Sequence, residues 1–467
     1  MPATRTNTFP KYDQLDDGIR ARPVTRQEER YAAMKLTREN MLRRAKLSML
    51  ADSIKSQEKK IDGPIPFFAA EESQSSHSSR TRQPQNCQIL KALLLDPINI
   101  LLISAPAGGF LFYRDGSPAI VFSLCFVGLI PLAKLLGDAT DHLAENFNQT
   151  IGGLLNATFG NAVECILTLN AIKQGLVEIV KMTLLGSILS NLLLVLGMSF
   201  FVGGLTMPVQ NFRGTAAMIN VTMLFVGILS CSVPTVFAFS APYDAILSIS
   251  RVSACFVGIG YVAYLFFQLY THADIFEDTA LESDSANGKE TVNCIDECGG
   301  PNRNGEEDHA ILGVPWALAL LFISTVAVAF FTEFMVESVH GAVDQWHVPE
   351  AFVGVILLPI VGNACEHASA VRMAYQNKVA TAIAIAIGSS TQIALLVMPF
   401  AVIAGWIADE PLDFNLGATG LAVLYSAVLV VFSIIIDSQT NWLEGFMLVL
   451  SYCLVAVLYW YTPNAKK

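Results

Sequence analysis

Two carboxylates stand where an apolar chain should carry none. Glu164 lies near the middle of GGLLNATFGNAVECILTLNAIKQG (152–175), a stretch that otherwise reads as a membrane span, with Gly160-Asn161 just upstream. Gly362-Asn363-Ala364-Cys365-Glu366 repeats Gly160-Asn161-Ala162-Val163-Glu164 at an offset of 202 residues (366 − 164), and Gly186-Ser187 returns as Gly388-Ser389 at the same offset. A charged side chain at the centre of such a span costs about 2.5–3.5 kcal/mol on insertion scales, so each glutamate needs a compensating use. Two carboxylates from facing helices supply the charge that neutralises a divalent cation, and the glycines can release helical carbonyls to the same site. Oxygen-only ligation of this kind suits Ca²⁺, with Mn²⁺ as an alternative. Without a cation the like charges repel in a medium of low dielectric, so protons and metal compete for the same oxygens. The candidate cation ligands are therefore Glu164, Glu366, Gly160, Asn161, Gly362 and Asn363. A purely structural pair of carboxylates is the plainer alternative, and the repetition weighs against it.

Further polar residues accompany this pair. Ser187, Ser190 and Asn191 in GSILSN, with Ser389 and Gln392 in GSSTQI, are candidates for the lining of a pathway. Small polar residues in spans often serve only close helix packing, whereas the amides Asn191 and Gln392 offer carbonyl oxygens to a coordination shell. Asn156, two turns before Glu164, is a pathway candidate that could equally be helix glue. His367 suits proton handling or orientation better than Ca²⁺ ligation, and a packed, satisfied ring is the competing reading. Asp141-xxx-Glu145 and Glu333-xxx-Glu337 each place two acids on one helix face, 23 residues (164 − 141) and 33 residues (366 − 333) before the central glutamates. Funnelling cations at a mouth and forming an interfacial charged collar are equally good accounts of these four.

The elements that must hold these residues are membrane helices. The chain has 467 residues, 53% hydrophobic and 15% charged, with a mean hydropathy of +0.49, and many runs approach the ~20 residues that a spanning helix needs. Seventeen of the 29 Lys and Arg residues precede residue 92, and the loop 271–310 holds eleven acids against Lys289 and Arg303, a net −9. The nine cysteines sit mostly in apolar runs and complete no zinc pattern. No HExxH motif occurs, which weighs against an intramembrane metalloenzyme and leaves no catalytic residue to assign. Nothing calls for a cofactor or a nucleic-acid partner. The partners implied are the lipid bilayer and the transported ions; the oligomeric state is open.

The expected fold is an all-α polytopic membrane protein of about eleven transmembrane helices. Residues 1–92 form a polar, largely disordered N-terminal region, with a charged helix within 22–60. A leading helix (93–117) follows, broken by Pro106 and Gly108-Gly109. The first five-helix repeat (118–270) has spans at 118–143, 149–173, 177–205, 215–238 and 245–270. After the acidic loop 271–310, the second repeat (311–461) has spans at 312–339, 349–375, 378–405, 417–436 and 440–461, before the tail 462–467. Five is odd, so the second repeat enters the membrane from the opposite side, the inverted arrangement of secondary transporters. Basic residues fall on both sides, and sidedness stays open on charge alone.

GGLLNATFGNAVE, GSILSN, GNACEHASAV and GSSTQIALLV closely resemble the duplicated signature regions of the calcium/proton exchanger (CAX) family, within the cation/Ca²⁺ exchanger superfamily, over about residues 93–461. The resemblance implies an antiporter that loads Ca²⁺, and sometimes Mn²⁺, into an acidic organelle such as the vacuole, driven by protons. It also implies a multi-pass vacuolar or other acidic endomembrane location and a cytosolic N-terminus and acidic loop. It assigns cation binding to Glu164 and Glu366. A Na⁺-coupled Ca²⁺ exchanger and a cation channel are the alternatives that the residues alone leave standing.

Overall fold

A computed structural model of the protein describes residues 83–276 and 312–463. The expected charged helix within 22–60 and nearly all of the acidic loop lie outside these residues. The described chain is helical apart from a two-residue strand pair. A bent pair comes first: α1 (Gln83–Leu94), then a 3₁₀ turn (Pro97–Ile103) running into α2 (Ser104–Phe112). The first repeat contributes α3 (Pro118–Glu145), α4 (Gln149–Phe159), α5 (Ala162–Lys173), α6 (Val177–Thr206), α7 (Gly214–Phe237) and α8 (Tyr243–Thr271). The second contributes α9 (Val314–Glu337), the short α10 (Val339–Trp346), α11 (Glu350–Gly362), α12 (Ala364–Tyr375), α13 (Val379–Ile407), α14 (Gly417–Ile435) and α15 (Trp442–Trp460). Strands β1 (Gln210–Asn211) and β2 (Gln439–Thr440) pair antiparallel and tie the α6–α7 loop to the α14–α15 loop.

Among the described residues, eight helices are long and apolar enough to cross a membrane, or ten if each bent pair counts as one span. The expected eleventh, 149–173, fails because it is two short helices separated at Gly160-Asn161. The expected span 349–375 is broken as well, with a 63° bend between α11 and α12. The leading helix also breaks in a different place. Pro106 and Gly108-Gly109 lie inside α2, and the 66° bend comes at the Leu94–Pro97 step instead. Pro106 falls in the first turn of α2, where a missing N–H has no intrahelical partner to lose. Gly108 gives close approach: a Cβ there would lie 2.7 Å from Cys125 Sγ on α3.

The two repeats run in opposite senses. At one face of the bundle the Gly313 N–H donates to Asn86 Oδ1 (3.0 Å) and Asn146 Nδ2 donates to the Leu312 carbonyl (2.8 Å). At the other, Ser117 Oγ meets Gln345 Oε1 (2.6 Å) and Gln174 Nε2 donates to the Glu333 carbonyl (3.4 Å). Helix α3 therefore ends on the face where α9, its counterpart, begins. The correspondence reaches the turns. After α5, Gly175 takes φ +70° while the N–H of Leu176 bonds back to the Ala171 carbonyl; after α12, Asn377 takes φ +63° while Lys378 bonds back to Met373. These are the same left-handed helix caps, filled by the two residue types that tolerate positive φ best.

Burial decides which helices stand in the middle. Some 72% of the apolar window of α6 and 67% of that of α13 is buried, against 22% for α8. Between membrane helices the driving force is tight packing rather than water exclusion. Accordingly, a Cβ at Gly186 would collide with the Val355 carbonyl and Pro359 of α11, and one at Gly445 with the backbone of Phe201 and Gly197. Glycine is what lets α6 lie against α11 and α15. The two central helices are the ones carrying GSILSN and GSSTQI.

Candidate functional site

The breaks in the α4–α5 and α11–α12 pairs create the site. Unsatisfied backbone inside a bilayer is expensive, so a broken span survives only where protein or a water-filled cavity meets it. Here Asn161 (φ −104°, ψ 20°) and Asn363 (φ −87°, ψ 12°) turn the chain, and new helices start at Ala162 and Ala364. Glu164 and Glu366 each fall in the first turn of the new helix. The positive end of a helix dipole favours a carboxylate there, which offsets part of the cost of burying it.

Glu164 is 3% exposed, and neither of its oxygens has a hydrogen-bond partner. It reaches across to the opposite repeat: a Cβ on Gly362 would lie 2.8 Å from Glu164 Oε1, so the second glycine of the repeated motif is where the first glutamate fits. Glu366 is partly exposed and borders a cavity of about 410 Å³. It lies within electrostatic reach of Glu164 and of Asp141.

Three amides of the repeated motifs and the polar signatures share one pattern. Asn161 Nδ2 donates to Gln392 Oε1 (2.6 Å), Asn191 Nδ2 to Ser389 Oγ (2.9 Å), and Asn363 Nδ2 to the Ser187 carbonyl (3.1 Å). In each case the amide nitrogen is tied down while the amide oxygen stays buried and without a partner. Ser187 Oγ is unpaired as well. Buried polar atoms are normally satisfied, so unpartnered oxygens on the segments that carry the two carboxylates and the polar signatures make these residues a candidate cation site. Among the described residues, no three His, Cys, Asp or Glu side chains converge. The candidate donors are therefore two carboxylates and neutral oxygens. Imidazole takes no part on its Nδ1 side, since His367 Nδ1 lies 2.6 Å from the Asn363 carbonyl.

The structure sorts the remaining candidates. Asn156, Gly160, Ser389, Gln392 and Asp141 line the cavity together with Glu366 and Gly362. Ser190 is buried on α6, where the chain enters a π-helical stretch, Ser190–Val195. Glu145, Glu333 and Glu337 are exposed toward the ends of their helices and are not among the residues that line the cavity. Glu145 lies 3.8 Å from His142 and Glu333 lies 3.7 Å from Lys173. Of the four outer acids, Asp141 alone faces the cavity.

Some features escaped the sequence reading. The π-helical stretches Ser190–Val195 and Ile393–Val397 begin within the ends of the two polar signatures; such turns widen the helix and re-aim the side chains beside them. Asn220 and Tyr264 border the cavity, joined by a 2.5 Å hydrogen bond from Tyr264 Oη to Asn220 Oδ1. The Asn220 carbonyl also accepts from Thr391 Oγ1 (3.0 Å), which ties α7 to α13. An asparagine inside the apolar run of α7 was the available signal.

The chain is similar to known proteins. The sodium/calcium exchanger protein family matches residues 117–270 and 316–461, once over each repeat. Vacuolar cation/proton exchanger 2 of Oryza sativa subsp. japonica is 37% identical over 395 residues, covering 83% of this chain and 86% of that protein. A Ca²⁺/H⁺ antiporter of Synechocystis sp. is 37% identical over 368 residues, covering 78% and 97%. Among solved structures, native YfkE superposes with a TM-score of 0.65 at 33% identity, over 78% of this chain and all of that one. With two matched repeats and these relatives over most of its length, the chain belongs to the sodium/calcium exchanger protein family.

Proposed function

We propose that this protein is a Ca²⁺/H⁺ antiporter of the vacuolar membrane or another acidic endomembrane, moving Ca²⁺ from the cytosol by alternating access. The observation that carries this reading is the set of bare, buried oxygens around Glu164, with Glu366 beside it on a cavity that opens to one face. The names of the relatives supply the coupling ion: cation/proton exchanger, Ca²⁺/H⁺ antiporter, and, at 36% identity over 378 residues, a vacuolar calcium ion transporter of Schizosaccharomyces pombe. Mn²⁺ fits the same hard oxygen set and is the second cargo.

The cycle follows from the charge on the site. On the cavity side Ca²⁺ displaces protons from Glu366 and Glu164 and takes its shell from the oxygens of Asn161, Asn191 and Asn363. Neutralised, the carboxylates can be carried past the low-dielectric middle of the bundle; ionised and without a cation they cannot. At the acidic face protons take the carboxylates back and release Ca²⁺. Cavity-lining Asp141 holds hydrated cations near the entrance. Purified protein in sealed liposomes should accumulate ⁴⁵Ca²⁺ when the lumen is acid and stop when a protonophore collapses the gradient. Accumulation driven equally by a Na⁺ gradient at matched pH would instead make the protein a Na⁺-coupled exchanger.

A further inference from the structure

The cavity explains one access route. On the other side of the carboxylates, buried groups wait without partners. Thr183 Oγ1 on α6 and Thr332 Oγ1 on α9 make no hydrogen bond, although their residues are only 3% and 1% exposed. Ser187 Oγ, one turn along α6 from Thr183, is in the same condition. Burying a hydroxyl without a partner is unfavourable, so contact with water or cargo in another state would relieve the cost at these three positions.

The internal repeat identifies that state. At the offset of 202, Thr183 corresponds to Ile385, Ser187 to Ser389 and Glu164 to Glu366, and the last of each pair borders the cavity. In the first helices of the repeats, the acids align at an offset of 192 (333 − 141), which pairs Thr332 with Thr140, another cavity residue. The unpartnered groups therefore occupy, in the shut half, the places that the cavity lining occupies in the open half.

One set of contacts holds the shut half closed, and all of it joins α5 to α9. Asn170 Nδ2 donates to the Ala329 carbonyl (3.0 Å), Gln174 Nε2 to the Glu333 carbonyl (3.4 Å), and Lys173 Nζ lies 3.7 Å from Glu333 Oε1. Positions 170, 173 and 174 share one helix face. Asn170 is buried, whereas Lys173 and Glu333 are exposed, so the amide holds more firmly than the screened ion pair. The counterparts of Ala329 and Glu333 are Gly137 and Asp141, and both border the open cavity. We propose that Asn170 and Gln174 form a latch between α5 and α9, and that its release opens a second aqueous cavity lined by Thr183, Ser187 and Thr332 and ending at Glu164. This rests on the transport reading, since only a carrier needs the second opening.

The test reads side-chain access and so does not depend on the cargo. The chain has nine cysteines, so a variant with these replaced is the parent for single cysteines at Asn156, Thr183 and Thr332. Each is reacted with a membrane-impermeant maleimide applied to one side of sealed vesicles. Asn156→Cys should react from the cavity face; Thr183→Cys and Thr332→Cys should react from the opposite face only, and slowly. Adding Asn170→Leu should raise those slow rates about five-fold, the weight of one net hydrogen bond, and lower the rate at Asn156→Cys. Rates unmoved by Asn170→Leu, or entry to Thr183→Cys from the cavity face, would overturn the latch. Should Asn170→Leu fail to reach the membrane, the pair Asn170→Cys and Ala329→Cys takes its place. Its oxidation should block labelling at Thr183→Cys until a reductant is added, and labelling that persists overturns the proposal equally. Single-cysteine variants that label as described, while the unaltered chain moves no Ca²⁺ in the liposome assay, would contradict the transport reading alone.

Discussion

Glu164 and Glu366 are equivalent in sequence and unequal in space. Glu366 borders the cavity while Glu164 is sealed against Gly362, so the pair is caught with one member accessible. Replacing either by Gln keeps the shape and removes the charge. We expect Glu164→Gln and Glu366→Gln each to cut Ca²⁺ uptake about 100-fold or more, the scale of deleting one partner of a buried charge interaction, with normal amounts of protein in the membrane. Transport by either variant within ten-fold of the parent would exclude a shared site. Gly362→Ala should also cut uptake, because its Cβ would press on Glu164 Oε1 from 2.8 Å; activity equal to the parent's would show that the carboxylate does not use that space. Both glutamates, their glycines and their asparagines were legible in the sequence, because an acid in an apolar run is costly and a repeated one is selected. Which atoms of the asparagines stay bare was not legible. That depends on partners 231 and 198 positions away in the chain, Gln392 for Asn161 and Ser389 for Asn191.

The helices were legible to within a few residues wherever an apolar run was continuous, as in α6, expected at 177–205 and found at Val177–Thr206. The failures are the breaks. Hydropathy averages over a window and cannot separate a straight span from two half-helices, and both site spans proved to be pairs. Pro106 and Gly108-Gly109 looked like breakers and are not, because a proline in a first turn and a glycine at a helix crossing both fit a continuous helix. At this scale stability effects are expected away from the site. Gly186→Ala would force α6 off α11, and overpacking of this kind typically costs about 1–3 kcal/mol; a lower Tm in detergent would show it, and an unchanged Tm would mean that the helices slide apart freely. Lys181, 12% exposed, pairs at 3.2 Å with Asp413, 3% exposed, pinning the start of α6 to the α13–α14 loop. Lys181→Met leaves that carboxylate buried and unpaired, at a cost of about 3–5 kcal/mol. Adding Asp413→Asn should recover most of the loss, and a double variant as unstable as the single would contradict the pairing.

For the whole molecule, the inverted repeat turns one cavity into two states. The sequence supplied the repeat and its inversion through the odd helix count; it could not supply which half is open, since both halves carry the same signature. The structure has the opening on the face where α3 ends and α9 begins, beside Asp141 and Glu366, and the closure where α5 meets α9. In the proposed cycle protons and Ca²⁺ compete for one pair of carboxylates. Lowering the pH on the uptake side must therefore weaken apparent Ca²⁺ affinity, while lowering it on the far side must speed release. The most direct measurement is ⁴⁵Ca²⁺ uptake into proteoliposomes of the purified protein, with the pH on each side clamped separately. A shared carboxylate pair requires accumulation only against an acid lumen, a half-saturating Ca²⁺ concentration that rises as external pH falls, and Ca²⁺/Ca²⁺ exchange that survives a protonophore. Uptake that ignores the pH gradient, or a half-saturating concentration that does not change with external pH, would contradict it.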